Sequence, residues 1–206
     1  IAHALADTRI AMTVLGALRA FPAVQPCLSS DTTAGLHSKV RSLDLDAAVV
    51  LLPLGMSIPA GLEGGVLGTD RYRIVQSRGA RLGRGRSPLS RPWIVNPAGC
   101  SVRAAVERNL QQAGLPMRIG AEMHDLSLQL ALVGSGAGLG VVSRRLLAQP
   151  GWKGRLEPLR RPVWDLAVSV GLVYSRPGHL EPVVRALATA LQSRFGGGSK
   201  KTVERE

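Results

Sequence analysis

The first fifty residues alternate between helical and extended patterns of apolar side chains. Apolar residues recur every three or four positions over 9–21, which predicts a helix that ends at Pro22. We expect a short strand at 24–28 and then a helix from about residue 33 to residue 43. The almost continuous apolar run 45–52 is typical of a strand that is covered on both faces. This alternation predicts an α/β domain.

The same alternation starts again after residue 92. Further strands are predicted at 93–95, 117–123, 139–142 and 166–174, and further helices at 102–113, 126–133, 144–148 and 180–195. Ser101 is the predicted N-cap of the helix 102–113. The glycine-rich run 134–138 is interpreted as a helix end that turns through a left-handed conformation into a strand.

Residues 55–91 separate the two alternating stretches and differ from them in composition. They are rich in glycine, proline and arginine, and 73–76 has the pattern of a strand. A lobe boundary is therefore expected here. Lobe I is predicted to comprise residues 1–74 and 168–195, lobe II residues 75–167, and a mobile tail residues 196–206. If the last strand and helix return to the first lobe, two strands connect the lobes.

Composition excludes several classes of protein. The chain has 206 residues, of which 45% are apolar, so a disordered chain is excluded. No apolar run reaches the ~20 residues of a membrane helix, and no membrane partner is expected. The net charge of +12 favours acidic partners, either nucleic acid or small anions. The seven aromatic residues are too few to suggest a platform on which bases stack.

Much of the positive charge lies in the connecting segment 71–91. Its arginines are Arg71, Arg73, Arg78, Arg81, Arg84, Arg86 and Arg91. The segment has no recognition helix, zinc finger or interleaving of basic and aromatic residues. We therefore interpret these side chains as solvated charge, and direct nucleic-acid binding by this chain is not predicted.

The cysteines bear on the cellular compartment of the chain, and the first residue bears on whether the chain is a fragment. Cys27 and Cys100 are too few for a disulfide scaffold, so a reduced, cytoplasmic protein is the simpler expectation. The chain begins at Ile1 and carries no signal-peptide pattern. We therefore expect it to be a fragment or a processed product.

Motifs for catalysis and for cofactors do not emerge from the sequence. The four histidines are scattered, without the spacing of a zinc site. The run Gly134–Gly140 lacks the serine spacing of a nucleophile elbow, and Leu139 stands where a dinucleotide fingerprint requires its last glycine. Asp44 and Asp46 are expected to face solvent at the start of a buried strand. Neither a metal, a cofactor nor an enzyme activity is predicted.

Three segments, in this order and at this spacing, resemble a known family. They are Pro92–Arg103 (PWIVNPAGCSVR), Ala121–Asp125 with Leu130–Val142 (LALVGSGAGLGVV), and Leu45–Val49 (LDAAV). Together they are similar to the effector-binding domain of LysR-type transcriptional regulators, and the resemblance spans residues 4–195.

The resemblance implies an α/β, two-lobed fold like that of the type 2 periplasmic binding proteins, with two crossover strands and an interlobe cleft. It implies a small-molecule effector, either a small organic acid or an aromatic metabolite. It also implies self-association as a dimer or tetramer. DNA would be bound only through a winged helix-turn-helix N-terminal to this chain.

Helix N-termini that face such a cleft would hold an anion, because their backbone N–H groups are free and the helix dipole favours negative charge. The family's effector contacts fall on these turns and on one strand exit. The ligand-binding residues predicted in this way are Asp7, Thr8, Thr32, Thr33, Pro97, Ala98, Gly99, Cys100, Ser101, His124 and Asp125.

Seven of these residues also have a simpler interpretation. Asp7, Thr8, Thr32 and Ser101 suit plain N-caps, and His124 suits a surface position. Pro97 most simply shapes its turn. Cys100 would suit an oxidant sensor, although such a sensor often needs a second, resolving cysteine.

Two other functions fit the same pattern of elements. An extracytoplasmic solute-binding protein of this fold would have a signal peptide in the full gene. An enzyme on the two-lobed scaffold would need a general acid or base, for which only His124 and Asp125 are candidates. The hypothesis we favour is an effector sensor in which the ligand stabilises a closed form and thereby changes subunit packing.

Overall fold

A computed structural model describes residues 1–80, 87–152, 154–161, 164, 166–176 and 178–196. Arg81, Arg84 and Arg86 of the basic segment, and residues 197–206 of the predicted tail, lie outside the described residues. The helices are α1 (Thr8–Leu18), α2 (Thr33–Arg41), α3 (Ser101–Gln112), α4 (Leu126–Gly134), α5 (Arg144–Leu147) and α6 (Glu181–Phe195). The strands are β1 (Ala47–Pro53), β2 (Glu63–Ser77), β3 (Trp93–Val95), β4 (Ile119–Glu122), β5 (Gly140–Ser143), β6 (Leu156–Pro158) and β7 (Leu166–Tyr174).

These elements form two compact units. Unit 1 contains residues 1–69 and 169–206, and unit 2 contains residues 70–168. The chain passes from unit 1 into unit 2 within β2 and returns within β7.

Unit 1 packs helices beside a set of strands of which β1 and β7 are buried on both faces. Its strand order is β1-β7-β2, and Ala48–Leu52 of β1 are all buried. Helix α1 packs against α6, and α2 packs against β1. The apolar side chains that recur along α1, Ile10 and Val14, are buried, as are Leu36 and Val40 of α2. Burial of these stripes explains why the helical periodicity of the sequence was a reliable signal.

Unit 2 has its own core and two sets of paired strands. β5 and β6 both pair antiparallel with β2, while β3 and β4 pair in parallel. The core side chains come from six of the strands and helices and are Val75, Ile94, Leu130, Val133, Val142, Leu146 and Leu156. Because β3 and β4 are parallel, their carboxyl ends meet at one edge, which is where α/β folds commonly place ligands.

Glycines make the turn from α4 into β5, as the sequence predicts. Gly136 has a φ of +91°, in the left-handed region that glycine adopts without a steric penalty. Its backbone N–H donates to the carbonyl of Val133 at 3.0 Å and closes the helix end. A Cβ on Gly138 would lie 2.3 Å from the carbonyl oxygen of Pro92, so no larger residue fits there.

One predicted strand is wrong. Residues 24–28 form neither a strand nor a helix, and residues 25–30 are exposed. Pro22 and Pro26 both lack the N–H that a strand ladder requires, and no neighbouring strand covers this segment. Ala2 lies beside β1 instead. Its N–H donates to the carbonyl of Val49 at 2.8 Å, and it makes a parallel bridge to Asp31.

Several predicted boundaries also shift. β2 begins at Glu63, ten residues before the predicted strand 73–76, so much of the glycine-rich segment is strand. Helix α2 ends at Arg41, and Leu43 beyond it adopts a φ of +63°. Ser101 is the first residue of α3, so the prediction that it caps the helix is wrong, and Cys100 occupies the N-cap position.

Candidate functional site

Two of the predicted site segments begin side by side in unit 2. Residues 97–101 follow the carboxyl end of β3, and His124 with Asp125 follow the carboxyl end of β4. The strand pairing continues past β4, because the N–H of Met123 donates to the carbonyl of Val95 at 3.1 Å. The sequence therefore correctly expected both segments at strand exits, and the structure brings these exits together at one edge.

Gln129 ties the two segments to each other. Its side-chain Nε2 donates to the carbonyl oxygen of Met123 at 2.6 Å and to Oδ1 of Asn96 at 3.1 Å. Gln129 is 3% exposed, so these two bonds satisfy a buried amide. Asn96 immediately precedes Pro97, and Met123 immediately precedes His124, so one side chain fixes the start of both candidate segments.

Arg103 forms a second link at the same edge. Its Nη1 donates to the backbone carbonyl of Asn96 at 3.0 Å, and its guanidinium pairs with Glu122 at the end of β4. Its Nε also donates to Glu107 one turn along α3, at 2.7 Å. Sequence analysis missed Gln129 and Arg103 as site residues, because local spacing does not show that Gln129 reaches Asn96, 33 positions earlier, or that Arg103 reaches Glu122, 19 positions later.

The N-terminus of α3 differs from those of the neighbouring helices. Cys100 occupies its N-cap position and makes no side-chain capping hydrogen bond, whereas Asp125 caps α4 through its carboxylate. The N–H groups of Arg103 and Val102 lie close enough to the sulfur to favour a thiolate, but burial outweighs them and raises the pKa of the Cys100 thiol. A protonated, partly buried thiol is a poor oxidant sensor.

Ala98 and Gly99 are exposed at the turn before Cys100, and Pro97 and Cys100 are half-buried. His124 and Asp125 are exposed as well. The Asp125 carboxylate accepts from the N–H of Leu128 at 3.0 Å, so it caps α4 and is only partly available to a ligand.

In unit 1, the first candidate pair lies at the start of α1. Asp7 is the N-cap, and its carboxylate accepts from the N–H of Ile10 at 2.9 Å. Thr8 follows as the first helical residue and is exposed. The predicted capping role of Asp7 is confirmed, whereas that of Thr8 is wrong, because Thr8 already belongs to the helix.

The second pair in unit 1 lies at the start of α2. Thr32 is the N-cap, and its hydroxyl accepts from the N–H of Gly35 at 3.1 Å, which confirms its predicted capping role. The hydroxyl of Thr33 accepts from the N–H of Leu51 at 3.3 Å and so joins α2 to β1. The preceding residue, Asp31, is salt-bridged to Lys39 at 2.7 Å, and this bond lowers the pKa of the Asp31 carboxyl.

A buried polar cluster in unit 2 was also missed by sequence analysis. Oδ2 of Asp70 accepts from Nη2 of Arg145 at 3.0 Å, and the Asp70 side chain is only 4% exposed. Tyr72 lies beside this pair and near Cys100, and its burial, followed by the charge of Asp70, raises the pKa of the phenol well above its usual value. The cluster links β2 to α5.

Unit 1 contains a separate cavity of about 180 Å³. It lies between α1, α6, β1 and residues 24–29, and its lining is mostly aliphatic. None of the predicted site residues lines it. This cavity is therefore not the site that the sequence predicts.

Among the residues that the structure describes, His, Cys, Asp and Glu side chains form no group of three or more that would hold a metal ion. Within the same residues, no helix has the length and apolar character needed to cross a bilayer. Cys27 and Cys100 are both free thiols.

Comparison with known protein families decides the assignment. The sequence matches the LysR substrate binding domain over residues 2–196. The chain belongs to this family. It is the effector-sensing domain of a LysR-type transcriptional regulator, as the resemblance implied. A search of curated protein sequences gives no match.

Solved structures of LysR-type regulatory domains share the fold. The regulatory domain of CcmR from Synechocystis PCC6803, in complex with 2-PG, is 13% identical, with a TM-score of 0.73 and 92% of each chain covered. The reduced OxyR regulatory domain from Pseudomonas aeruginosa is 16% identical, with a TM-score of 0.71, covering 93% of this chain and 94% of that one.

A full-length regulator is also similar. LysG from Corynebacterium glutamicum, with bound effector Arg, is 16% identical, with a TM-score of 0.68, and the match covers 92% of this chain and 66% of LysG. These likenesses confirm the predicted fold class, an α/β, two-lobed fold like that of the periplasmic binding proteins.

Proposed function

We propose that this LysR-type domain senses a small organic anion, held in the gap between its two lobes. The domain would act without enzyme activity, in the cytoplasm, as part of a dimer or tetramer. Sequence-specific DNA binding would reside in a winged helix-turn-helix N-terminal to this chain. The residues proposed to contact the effector are Asp7, Thr8, Thr32, Thr33, Pro97, Ala98, Gly99, Cys100, Ser101, His124 and Asp125.

The observation that carries this proposal is the paired edge of β3 and β4. Gln129 and Arg103 hold the segments 97–101 and 124–125 at this edge, and α3 begins there without a side-chain cap. A pre-positioned helix N-terminus is a favourable site for a carboxylate or phosphate, because its backbone N–H groups and the helix dipole both favour negative charge. The hydrogen bonds inside the edge are already satisfied, so a ligand would meet a site that needs little reorganisation.

Two of the structural relatives support a small ligand of this kind. CcmR was solved with 2-PG and LysG with the effector Arg. An amino acid carries a carboxylate, which suits a helix N-terminus. The negative charge of Asp7 and Asp125 in the proposed site would disfavour a second anionic group beside them.

The mechanism we propose is a shift in population. An effector that contacts both lobes would stabilise the closed form by its differential affinity for that form. Closure would change subunit packing and, through it, the spacing of the DNA-binding domains.

A thermal-shift screen tests the proposal. Small carboxylic acids and aromatic acids are each compared with the neutral amide of the same compound. We expect at least one acid to raise the melting temperature, since a ligand that binds only the folded state stabilises it, and the amide to have little effect. If acids and amides act alike, or if none acts, the proposed anion site is wrong.

A matched pair of variants locates the site. His124 and His179 are both exposed. His124→Ala should reduce the shift produced by an active acid, whereas His179→Ala, outside the proposed site, should leave it unchanged. Equal effects of the two variants would contradict the proposed location.

A further inference from the structure

The cavity of about 180 Å³ in unit 1, which we call the unit 1 cavity, has walls from two helices that pack against each other. α1 contributes Val14 and Leu18, which lie one turn apart on the same face of the helix. α6 contributes Val183, Leu187 and Leu191, which repeat at the same spacing. Two aliphatic stripes therefore face one space.

The sequence of β1 explains why space remains between these helices and the strand. β1 begins with Ala47 and Ala48, both of which line the cavity, and continues with valines and leucines. Ala48 is 3% exposed, so its small side chain is an interior one. Two alanines at the start of the strand leave open the volume that larger side chains fill further along.

Residues 24–29 close the remaining side of the cavity without forming a helix or a strand. Among the described residues that line the cavity, the polar side chains are Gln25, Ser29 and Asp46, and all three are exposed. The Cys27 thiol in the same lining is exposed as well. These groups therefore mark the mouth of the cavity, whereas its buried lining is aliphatic.

A lining of this kind suits a neutral molecule. The aliphatic interior holds water poorly, because a buried water needs about two to four polar partners. An anion would lose its hydration there and would meet the Asp46 carboxylate at the mouth. A single N–H or O–H group is compatible with the cavity, since it can turn toward the mouth, where Asp46 offers an acceptor.

The volume limits the size of the molecule. An apolar cavity of about 150 Å³ engineered into another protein binds benzene. The unit 1 cavity, at about 180 Å³, has room for a ligand of one or two small rings. Native interiors contain few voids larger than a water molecule, and an occupant would restore the dispersion contacts that an empty void loses.

We propose that the unit 1 cavity is a binding site for a small, neutral, mainly apolar molecule of about the size of indole. None of the residues proposed to contact the effector lines this cavity, so it is a second ligand site. The inference stands on the lining of unit 1 alone and does not depend on the proposed effector site. Because the lining joins α1, α6 and β1, an occupant would stabilise the folded state of unit 1.

Calorimetric titration of the 206-residue chain with indole tests the proposal. We expect saturable binding of one molecule per chain, with a dissociation constant below about 1 mM. Indole-3-carboxylate has the same rings with an added negative charge, and it should bind at least about tenfold more weakly, because its carboxylate would be desolvated beside Asp46.

A matched pair of tryptophan variants locates the bound indole. Leu187→Trp should weaken indole binding at least about tenfold, because the added ring occupies the cavity. Leu54 is 58% exposed and lies outside the lining, so Leu54→Trp should change the affinity less than about twofold. Thermal melts establish that both variants are folded. Ala47→Val is a milder filling variant with the same expected direction if Leu187→Trp does not fold.

Three outcomes overturn the proposal: no saturable binding of indole, equal effects of Leu187→Trp and Leu54→Trp, or binding of indole-3-carboxylate as tight as that of indole. The thermal shift produced by an active acid should be retained in Leu187→Trp, since the proposed effector contacts lie elsewhere. Loss of indole binding with a retained acid shift, or the reverse, therefore separates a failure of this proposal from a failure of effector sensing.

Discussion

Gln129 on α4 donates from one side-chain nitrogen to the carbonyl of Met123 and to the side-chain oxygen of Asn96. These two acceptors stand at the beginning of the two segments that form the proposed effector site in unit 2. A buried amide with two satisfied bonds gives this edge a single geometry, because any rotation would leave polar groups unpaired. Gln129 therefore sets the geometry of the proposed effector site in unit 2, although it is not one of the proposed effector contacts.

Replacement of the Gln129 amide tests how much its two hydrogen bonds contribute to the stability of the fold. Gln129→Leu should lower the free energy of unfolding by about 1–3 kcal/mol, because it leaves the Met123 carbonyl and the Asn96 amide oxygen without a donor. Urea denaturation measures the change. Gln111→Leu, at an exposed position on α3, should change stability by less than about 0.5 kcal/mol. Similar values for the two variants would show that the link is unimportant.

The Asp70–Arg145 pair offers a second test of stability. Asp70→Asn keeps the size of the side chain but removes the charge that compensates a partly buried guanidinium. We expect a loss of roughly 2–4 kcal/mol, measured by urea denaturation. Asp70→Asn combined with Arg145→Met should recover part of this loss, since it also removes the uncompensated charge. If the double variant shows the simple sum of the two losses, the pair is not coupled.

Capping of α4 can be separated from effector contact at Asp125. Asp125→Ala should cost about 1 kcal/mol of stability, because the N–H of Leu128 loses its acceptor. Ser127→Ala, at an exposed position in the first turn of the same helix, should have little effect. Thermal melts without ligand report capping, and the ligand-induced shift reports contact. A variant that is destabilised but keeps the full shift would assign Asp125 to capping alone.

The buried thiol of Cys100 predicts a loss of stability at alkaline pH. Burial raises the pKa of this thiol in the folded chain, so the folded state holds the proton more tightly than the unfolded state. As the pH rises through the ordinary thiol value of about 8.5, the unfolded chain ionises first and the free energy of unfolding falls. Denaturation at pH 7 and at higher pH measures this slope.

Cys100→Ser should flatten the alkaline part of this profile, because the serine hydroxyl does not ionise in this range. Cys27→Ser, at an exposed position, should retain the slope of the parent chain. Equal slopes for Cys100→Ser and the parent would show that the thiol is not responsible.

Some elements followed directly from the amino-acid pattern. The last strand was predicted at 166–174, and β7 has these bounds, because nearly every residue in it is buried and the apolar run ends where burial ends. The caps at Asp7 and Thr32 were also predictable, since an N-cap bond joins residues three positions apart. The effector contacts themselves, and the division at residues 74 and 75 into lobes, stay predictions.

Other elements depended on neighbours that are distant in the sequence. Residues 24–28 have a strand-like composition but gain no partner strand, whereas the glycine-containing start of β2 becomes a strand because β7 lies beside it. Strand formation requires a ladder, and a ladder is supplied by another segment.

The sequence by itself determined the α/β class, most of the helices and strands, the family and the caps at Asp7 and Thr32, because each depends on periodicity or on contacts within a few residues. Only the tertiary structure decided that Gln129 reaches Asn96 and that Arg145 meets Asp70. These relations join residues 33 and 75 positions apart. They follow from how the strands pair and how the helices pack, and the spacing of residues within a short segment does not predict them.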